Sequence, residues 1–200
     1  MKVLVIDTET TGLPTYRNAS IYNSQLWPYV VQLSFITYDT NISEIVEKFD
    51  SLIAIDDQVE ISQESFNIHH ITKEMCLQCG MNIKNALAHL NKQIAECDLI
   101  IGHNISFDKQ VLIVEFIRNE MISNFPTKST FCTMKQYKML CNIKKERVRG
   151  TDADITAPVQ EYVKFPTLSE LHNVLFFYNP KNLHNSYVDI LICLRCYIKV

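Results

Sequence analysis

Two carboxylates stand at the end of the first apolar segment of the chain. Lys2 to Asp7 contains an unbroken run of Val, Leu and Ile and predicts a strand buried on both faces. Because side chains two residues apart in a strand point to the same face, Asp7 and Glu9 should converge. Like charges so close repel each other unless a cation lies between them. Since carboxylate oxygens suit Mg or Mn better than zinc, the segment predicts a divalent metal site.

The composition restricts the class of protein. The 200 residues fit one domain, residues 1–200, and with 47% hydrophobic residues the chain can bury a sizeable core. A net charge of −3 is not that of a basic nucleic-acid coat protein, although metal ions can neutralise phosphates locally. No apolar run reaches the roughly 20 residues of a membrane helix, and Asp7 ends the first run too early for a signal peptide. We therefore expect a cytoplasmic or nuclear protein with no membrane partner.

The seven cysteines allow two interpretations. Their odd number and their spacing do not suit a disulfide framework and indicate reduced thiols. Cys76-x-x-Cys79 and Cys193-x-x-Cys196 together could form a four-thiolate zinc site in a zinc- or thiol-based regulatory binding protein. Both pairs fall in predicted helices, however, where cysteines commonly pack as small hydrophobic residues. Core packing is therefore the preferred interpretation, and the zinc site is the alternative.

The residue periodicity predicts strands first and then alternating helices and strands. Strands at 29–38 and 45–49 would form an antiparallel meander with the first strand. The remaining predictions are a loop at 15–28, a helix from Thr72, a helix at 82–94, a strand at 98–102, a helix from the cap Ser106 to Ser123, a strand near Phe131, a helix at 134–141, a polar loop at 142–166, a helix at 167–177 and a helix from Asn185 or Ser186 to Lys199. This order indicates an α/β domain with a mixed sheet.

Three further residues that could carry chemistry lie near predicted helix starts. Asp108 and Asp189 each fall in the first turn of a helix. His184 precedes Asp189 by five residues, so a loop histidine could fold back over that carboxylate. Taken singly, Asp108 with Ser106 and Asp189 with Ser186 could also be simple helix-start patterns. The residues alone leave both interpretations open.

Three motifs that contain these residues follow one another along the chain. They are Asp7-Thr8-Glu9-Thr10-Thr11-Gly12-Leu13, Gly102-His103-Asn104-Ile105-Ser106-Phe107-Asp108 and His184-Asn185-Ser186-Tyr187-Val188-Asp189. Their order resembles that of the DnaQ-like 3′→5′ exonucleases, also called the DEDDh group. The resemblance extends from about Lys2 to Tyr197, and the segment Phe66–Thr72 is similar to the family's substrate-side turn, with His70 where glycine is usual. The sister group has a tyrosine four residues before the last aspartate, where this chain has Asn185.

The resemblance implies a fold and a catalytic centre. The fold would be ribonuclease H-like, with helices flanking a mixed five-stranded sheet. Two divalent metal ions, Mg or Mn, would lie about 3.5–4 Å apart and assist the release of nucleoside 5′-monophosphates. His184 would be the general base, because a histidine can accept a proton near neutral pH. Asp7 would bridge both ions, and Asp108 would act directly or through water. The metal ligands would be Asp7, Glu9, Asp108 and Asp189.

The resemblance also implies where a 3′ end would bind. Leu13 would press against the terminal base, and His70 is the histidine most suited to approach the substrate. A basic run could guide the nucleic acid electrostatically, or it could be only a solvated loop. The substrate-binding residues would be Thr10, Thr11, Gly12, Leu13, His70, Asn104 and Phe107, and the basic run is Lys144, Lys145, Arg147 and Arg149.

These observations predict a metal-dependent 3′→5′ exonuclease that acts on single-stranded or frayed DNA in proofreading or repair, with a DNA polymerase as a potential partner. No residue distinguishes deoxyribose from ribose, so the same chemistry on RNA 3′ ends is the alternative within the family. A binding module that keeps the fold without turnover is disfavoured, because all five catalytic positions are filled.

Overall fold

A mixed five-stranded sheet forms the centre of the computed structural model, which describes residues 1–148 and 159–200. Its strands are β1 (Lys2–Thr10), β2 (Val30–Asp39), β3 (Glu44–Leu52), β4 (Leu99–Gly102) and β5 (Thr130–Cys132), in the spatial order β3-β2-β1-β4-β5. The pairs β1–β2 and β2–β3 are antiparallel, whereas β4 runs parallel to β1 and β5 runs parallel to β4. The predicted meander and the predicted five-stranded sheet are therefore confirmed.

Helices cover both faces of this sheet. Leu87 and Leu112, from two of the helices, pack on one face, and Ile190, from the last helix, packs on the other. None of the helices in the described residues is long and apolar enough to cross a membrane. The helices are α1 (Gln63–His69), α2 (Lys73–Cys79), α3 (Ile83–Glu96), α4 (Ile105–Arg118), α5 (Thr133–Gln136), α6 (Lys138–Cys141), α7 (Leu168–Phe176) and α8 (Ser186–Lys199).

The alternation of side chains along β1 determines where its carboxylates lie. Val3 and Val5 pack with Ile190 in the cluster between the sheet and α8. Asp7 and Glu9 continue this row, because residues two apart in a strand share a face. They therefore emerge on the α8 side of the sheet, at the point where the apolar row ends.

The start and end of α4 differ from the prediction. The helix begins after Asn104, which has a left-handed φ of 68°, so Ser106 lies inside the helix and does not cap it. The helix ends before the predicted Ser123 because Glu120 takes a φ of 57°. The backbone N–H of Met121 then donates to the carbonyl of Phe116 at 2.8 Å, as in a Schellman motif. The helix end is thus set by local backbone geometry.

The prediction of a polar loop at 142–166 is wrong. The described part of this segment forms an antiparallel hairpin of β6 (Lys144–Val148) and β7 (Val159–Val163), and Arg149 lies outside the described residues. Charged residues dominate the exposed ribbon, so the sequence shows little of the apolar alternation by which a strand is recognised. The predicted helix at 134–141 is likewise divided into α5 and α6, because the backbone turns at the buried Tyr137.

Candidate active site

Three carboxylates converge where the apolar row of β1 ends. Asp7 and Glu9 come from β1, and Asp189 comes from the first turn of α8. One oxygen of each lies within 4.8 Å of the others. Within residues 1–148 and 159–200, no other group of three or more acidic, histidine or cysteine side chains has this geometry. The structure thus brings together three of the four predicted metal ligands.

Asp108, the fourth predicted ligand, lies beside this cluster with one of its oxygens already bonded. It is buried in the first turn of α4. Its Oδ1 accepts the backbone N–H of Thr8 at 3.0 Å and the Thr8 hydroxyl at 2.8 Å. An oxygen with two donors is less available to an ion, so Asp108 would act through its other oxygen, either directly or through water.

The environment of the four carboxyl groups raises their pKa values. Burial is the largest cause at each residue, and repulsion from neighbouring carboxylates adds to it at Asp7, Glu9 and Asp108. The pKa of Asp7 lies well above its ordinary value, that of Glu9 rises to about 8 and that of Asp108 to about 7. The pKa of Asp189 rises to about 6, although the backbone N–H of His184 opposes the effect of burial. Without a cation, the site therefore resists full ionisation.

One carboxylate oxygen of Asp189 fits a role as a cation ligand. Asp189 Oδ1 is buried and has no hydrogen-bond partner in the described part of the chain, whereas its Oδ2 accepts the backbone N–H of His184 at 3.1 Å. A buried polar atom without a partner is unfavourable. Because all the donors are carboxylate oxygens, the site suits a hard ion such as Mg or Mn. Asp7, Glu9 and Asp189 could therefore hold a divalent ion.

His184 lies directly before α8, as expected. Its backbone has a left-handed φ of 67° and its side chain is exposed. The bond from its N–H to Asp189 folds the preceding loop back over the first turn of the helix.

A cleft of about 780 Å³ opens next to Glu9. Its walls are formed by the end of β1, the segment 25–28, the start of α1 and α4. His70 and Asn104 are exposed and lie outside this lining. The predicted substrate-binding residues that line the cleft are Thr10, Thr11, Gly12, Leu13 and Phe107.

Hydrogen bonds hold the segment after β1 in place. The Thr11 N–H donates to the Tyr29 carbonyl at 2.9 Å, and the Tyr29 N–H donates to Thr11 Oγ1 at 3.0 Å. The Ser62 N–H donates to the Thr11 carbonyl at 2.9 Å. The Thr10 hydroxyl donates to the Gly12 carbonyl at 2.7 Å. This wall of the cleft is therefore organised before any ligand binds.

His69 is a cleft residue that the sequence did not identify. It is buried at the end of α1, where Nδ1 accepts the Ile71 N–H at 2.9 Å and Nε2 lies 3.2 Å from the Thr10 carbonyl. Burial lowers the pKa of His69, so the neutral form with its proton on Nε2 fits both contacts. The next residue, His70, has a left-handed φ of 59°, a conformation that glycine adopts most readily. The adjacent histidines were visible in the sequence, but which one faces inward depends on this turn.

The cysteines lie in separate hydrophobic clusters. Cys76 packs with Val31, and Cys193 packs under β1. Burial raises the thiol pKa of Cys76 to about 11 and that of Cys196 to about 12. Cys79 is exposed. The two Cys-x-x-Cys pairs therefore do not form one zinc site. Core packing explains the three buried thiols of these pairs, Cys76, Cys193 and Cys196.

Sequence comparisons match nearly the whole chain. The family model RNase_T, described as an exonuclease, matches residues 4–197. A DNA polymerase III of the PolC type from Pediococcus pentosaceus is 26% identical over 120 residues. This match covers 60% of the present chain and 7% of the polymerase.

Solved structures of two nucleases share the fold. E. coli exonuclease I in complex with a dA16 oligonucleotide has a TM-score of 0.69 and 16% identity, over 100% of this chain and 40% of that chain. Exonuclease X in complex with 5′ overhanging duplex DNA has a TM-score of 0.56 and 21% identity, over 98% of this chain and 90% of that chain. The chain thus spans less than half of exonuclease I and a small part of the polymerase.

Proposed function

The chain belongs to the DnaQ-like exonuclease family, and we propose that it is a metal-dependent 3′→5′ exonuclease that acts on single-stranded or frayed DNA. The observation that carries the proposal is the convergence of Asp7, Glu9 and Asp189 beside an open cleft, with one buried oxygen of Asp189 lacking a partner. The products would be nucleoside 5′-monophosphates.

Each side chain of the site has a role in this proposal. Asp7, Glu9 and Asp189 would hold two divalent ions, Mg or Mn, with Asp108 completing the set through water. When bound, such ions activate water and stabilise charge on a leaving oxygen. His184 would accept the proton of the attacking water as the bond from phosphorus to the 3′-oxygen breaks.

The cleft supports a single-stranded 3′ end as substrate. Leu13 is 81% exposed at the cleft, which leaves an apolar side chain available to pack against a base. The preorganised backbone of Thr11 and Gly12 would contact the sugar and phosphate of the terminal nucleotide. Contacts of this kind position a strand without reading its sequence. The same cleft could accept an RNA end, which is the second candidate substrate.

The cellular role rests on the relatives. The matched polymerase and the DNA-bound nucleases favour DNA over RNA, and they favour a proofreading or repair role with a DNA polymerase as partner. A cytoplasmic or nuclear location is part of this proposal.

Incubation of end-labelled DNA and RNA of one sequence with the protein and Mg or Mn tests the function. We expect DNA to shorten from its 3′ end with release of 5′-monophosphates. Asp7→Asn should reduce the rate at least 100-fold, because removal of a metal ligand removes most of the electrostatic stabilisation of the transition state.

The exposed Glu44 provides the control, because Glu44→Gln removes a carboxylate far from the cluster and should leave the rate unchanged. If neither nucleic acid is shortened, the proposed activity is wrong. If Asp7→Asn keeps full activity, the assignment of the site is wrong.

A further inference from the structure

The helix that carries Asp189 is attached to the sheet by buried polar side chains of β2. The backbone N–H of Ser186, at the start of α8, donates to Gln32 Oε1 at 3.3 Å. The hydroxyl oxygens of Ser186 and Ser34 lie 2.5 Å apart. The exposed fraction is 4% for Gln32 and 0% for both serines. Polar groups so deeply buried contribute only through the bonds they make.

Both branches of this network end at Asp50 on β3. The Gln32 side-chain amide donates to Asp50 Oδ1 at 2.8 Å, and the Ser34 hydroxyl donates to the same oxygen at 2.7 Å. Because Ser34 uses its only hydroxyl proton for Asp50, the Ser186 hydroxyl must donate to Ser34. The donors therefore run in one direction, from α8 through β2 to the carboxylate.

The strand register places this network next to the metal-ligand candidates. On β2, Ser34 lies directly opposite Asp7, and Gln32 lies directly opposite Glu9. The residues that hold the start of α8 are thus the cross-strand neighbours of the two carboxylates on β1.

We infer that Gln32 and Ser34 are positioning residues that set the location of Asp189 relative to Asp7 and Glu9. This inference rests on the proposed function, since it concerns the geometry of the same metal site. A directional hydrogen bond fixes both the rotation and the axial position of a helix, which the non-directional hydrophobic effect does not. Displacement of Asp189 would separate it from the β1 pair.

The neighbouring position on β2 shows that polarity is not needed merely to hold the helix. Ile36 lies two residues beyond Ser34 on the same face, and it packs in an apolar cluster with Ile190 of α8. Apolar residues at 32 and 34 could attach the helix equally well, because buried polar networks often add no stability over apolar packing. Within residues 1–148 and 159–200, the side-chain hydrogen bonds between β2 and α8 lie at the end of the helix that carries Asp189.

Mn²⁺ binding to the purified protein, measured by calorimetry, tests the inference without relying on activity. Gln32→Met and Ser34→Ala each remove one branch of the network with little change in volume. Each should weaken Mn²⁺ binding about 10-fold, as loss of an outer partner of a metal ligand does. The kcat should fall while the KM for DNA changes little, because the cleft lies outside the network.

Ile36→Val is the matched control, because it loosens contact with the same helix outside the network. It should lower the Tm and leave the Mn²⁺ affinity unchanged. Should a core variant fail to fold, Asp50→Ala breaks the network at an exposed residue, and it should also weaken Mn²⁺ binding.

Unchanged Mn²⁺ affinity in the folded network variants would overturn the inference, and so would an equal loss of affinity in Ile36→Val. Each of these results would leave the proposed activity intact. A parent protein that binds neither Mn²⁺ nor Mg²⁺ would instead refute both the proposed function and the inference.

Discussion

Thr8 donates its backbone N–H and its hydroxyl to the same oxygen of Asp108, at 3.0 and 2.8 Å. Thr8 stands between Asp7 and Glu9 on β1, and its side chain points to the opposite face of the sheet. One strand therefore directs two carboxylates toward α8 and anchors a third from α4. This arrangement explains why Asp108 contributes to the charge of the site and yet remains outside the tight cluster.

The metal-free protein should lose stability as the pH rises. The pKa of Glu9 increases from its ordinary value of 4.5 to about 8 in the folded state, so the folded protein retains a proton that the unfolded chain has released. The free energy of unfolding should be highest at a pH below 4.5, the ordinary pKa of Glu9. It should decline as the pH rises, until the pH exceeds the pKa of about 8 that Glu9 has in the folded state. Asp7, Asp108 and Asp189 shift in the same direction and add to the effect.

Thermal unfolding in a chelator, measured from about pH 5 to about pH 8.5, checks this expectation. The Tm should fall with pH in the parent protein and less steeply in Glu9→Gln. Mn²⁺ should restore the Tm most strongly at the high end of the range, where the carboxylates are ionised. A Tm that rises through this range would contradict the electrostatic account of the site.

Gly12→Ala should reduce activity and leave the fold intact. An alanine Cβ at this position would lie 3.8 Å from Ser62 Oγ, which is an ordinary contact, and the φ of Gly12 is not left-handed. The free energy of unfolding should therefore change by less than about 1 kcal/mol. The KM for single-stranded DNA should rise about 10-fold, because the methyl group would occupy space intended for the terminal nucleotide.

Gly80→Ala serves as the contrasting control, since its Cβ would clash with the backbone nitrogen of Ala54, and the substitution should lower the Tm. Steady-state kinetics and thermal unfolding of the two variants distinguish the cases. If Gly12→Ala has the kinetics of the parent, the segment after β1 does not contact substrate.

Arg118 should affect substrate affinity because it holds the segment 25–28, which forms one wall of the cleft. Its guanidinium donates to the carbonyls of Ser24 and Trp27 at 2.7 and 3.0 Å and lies 3.9 Å above the ring of Tyr29. It also forms an ion pair with the buried Glu115. Lysine keeps the charge but cannot reproduce the planar fork of donors. Arg118→Lys should therefore release the segment 25–28 and raise the KM for DNA more than it lowers kcat.

Arg195→Lys is the matched control, because Arg195 also stacks on an aromatic ring, 4.1 Å from the centroid of Phe176, but lies on α8 away from the cleft. Initial rates over a range of DNA concentrations should show the increase in KM only for Arg118→Lys. An equal KM in the two variants would contradict a role for the segment 25–28 in substrate binding.

Local spacing was sufficient to predict the pair of carboxylates on β1, because Asp7 and Glu9 follow from the two-residue period of a strand. For Asp189, position in the first turn of a helix left a structural role open, and only the order of the motifs indicated a metal ligand. The burial of Gln32 and Ser34 could not be predicted, because their face of β2 is covered by a helix that lies far along the chain. The two-residue period of a strand places Gln32 and Ser34 on one face of β2, but only the tertiary structure shows what packs against that face.

The hairpin of β6 and β7 likewise became visible only in the tertiary structure. Its two faces differ in charge. Lys145 lies opposite Tyr162, and Arg147 shares their face because it is two residues further along β6. Lys144 lies on the other face, where its ammonium group is 2.8 Å from a carboxylate oxygen of Glu161. The face of Lys145 and Arg147 is therefore the one suited to attract a phosphate backbone.

Replacement of both Lys145 and Arg147 by alanine should weaken the binding of long single-stranded DNA and reduce its salt dependence. Each lost phosphate contact lowers the slope of log affinity against log salt by about 0.7. Titration of fluorescent DNA in Ca²⁺ at several salt concentrations measures this slope without cleavage. Lys144→Ala is the control and should leave the slope unchanged, because Lys144 is already paired with Glu161. Equal slopes in the double variant and the parent would show that the hairpin is only a solvated ribbon.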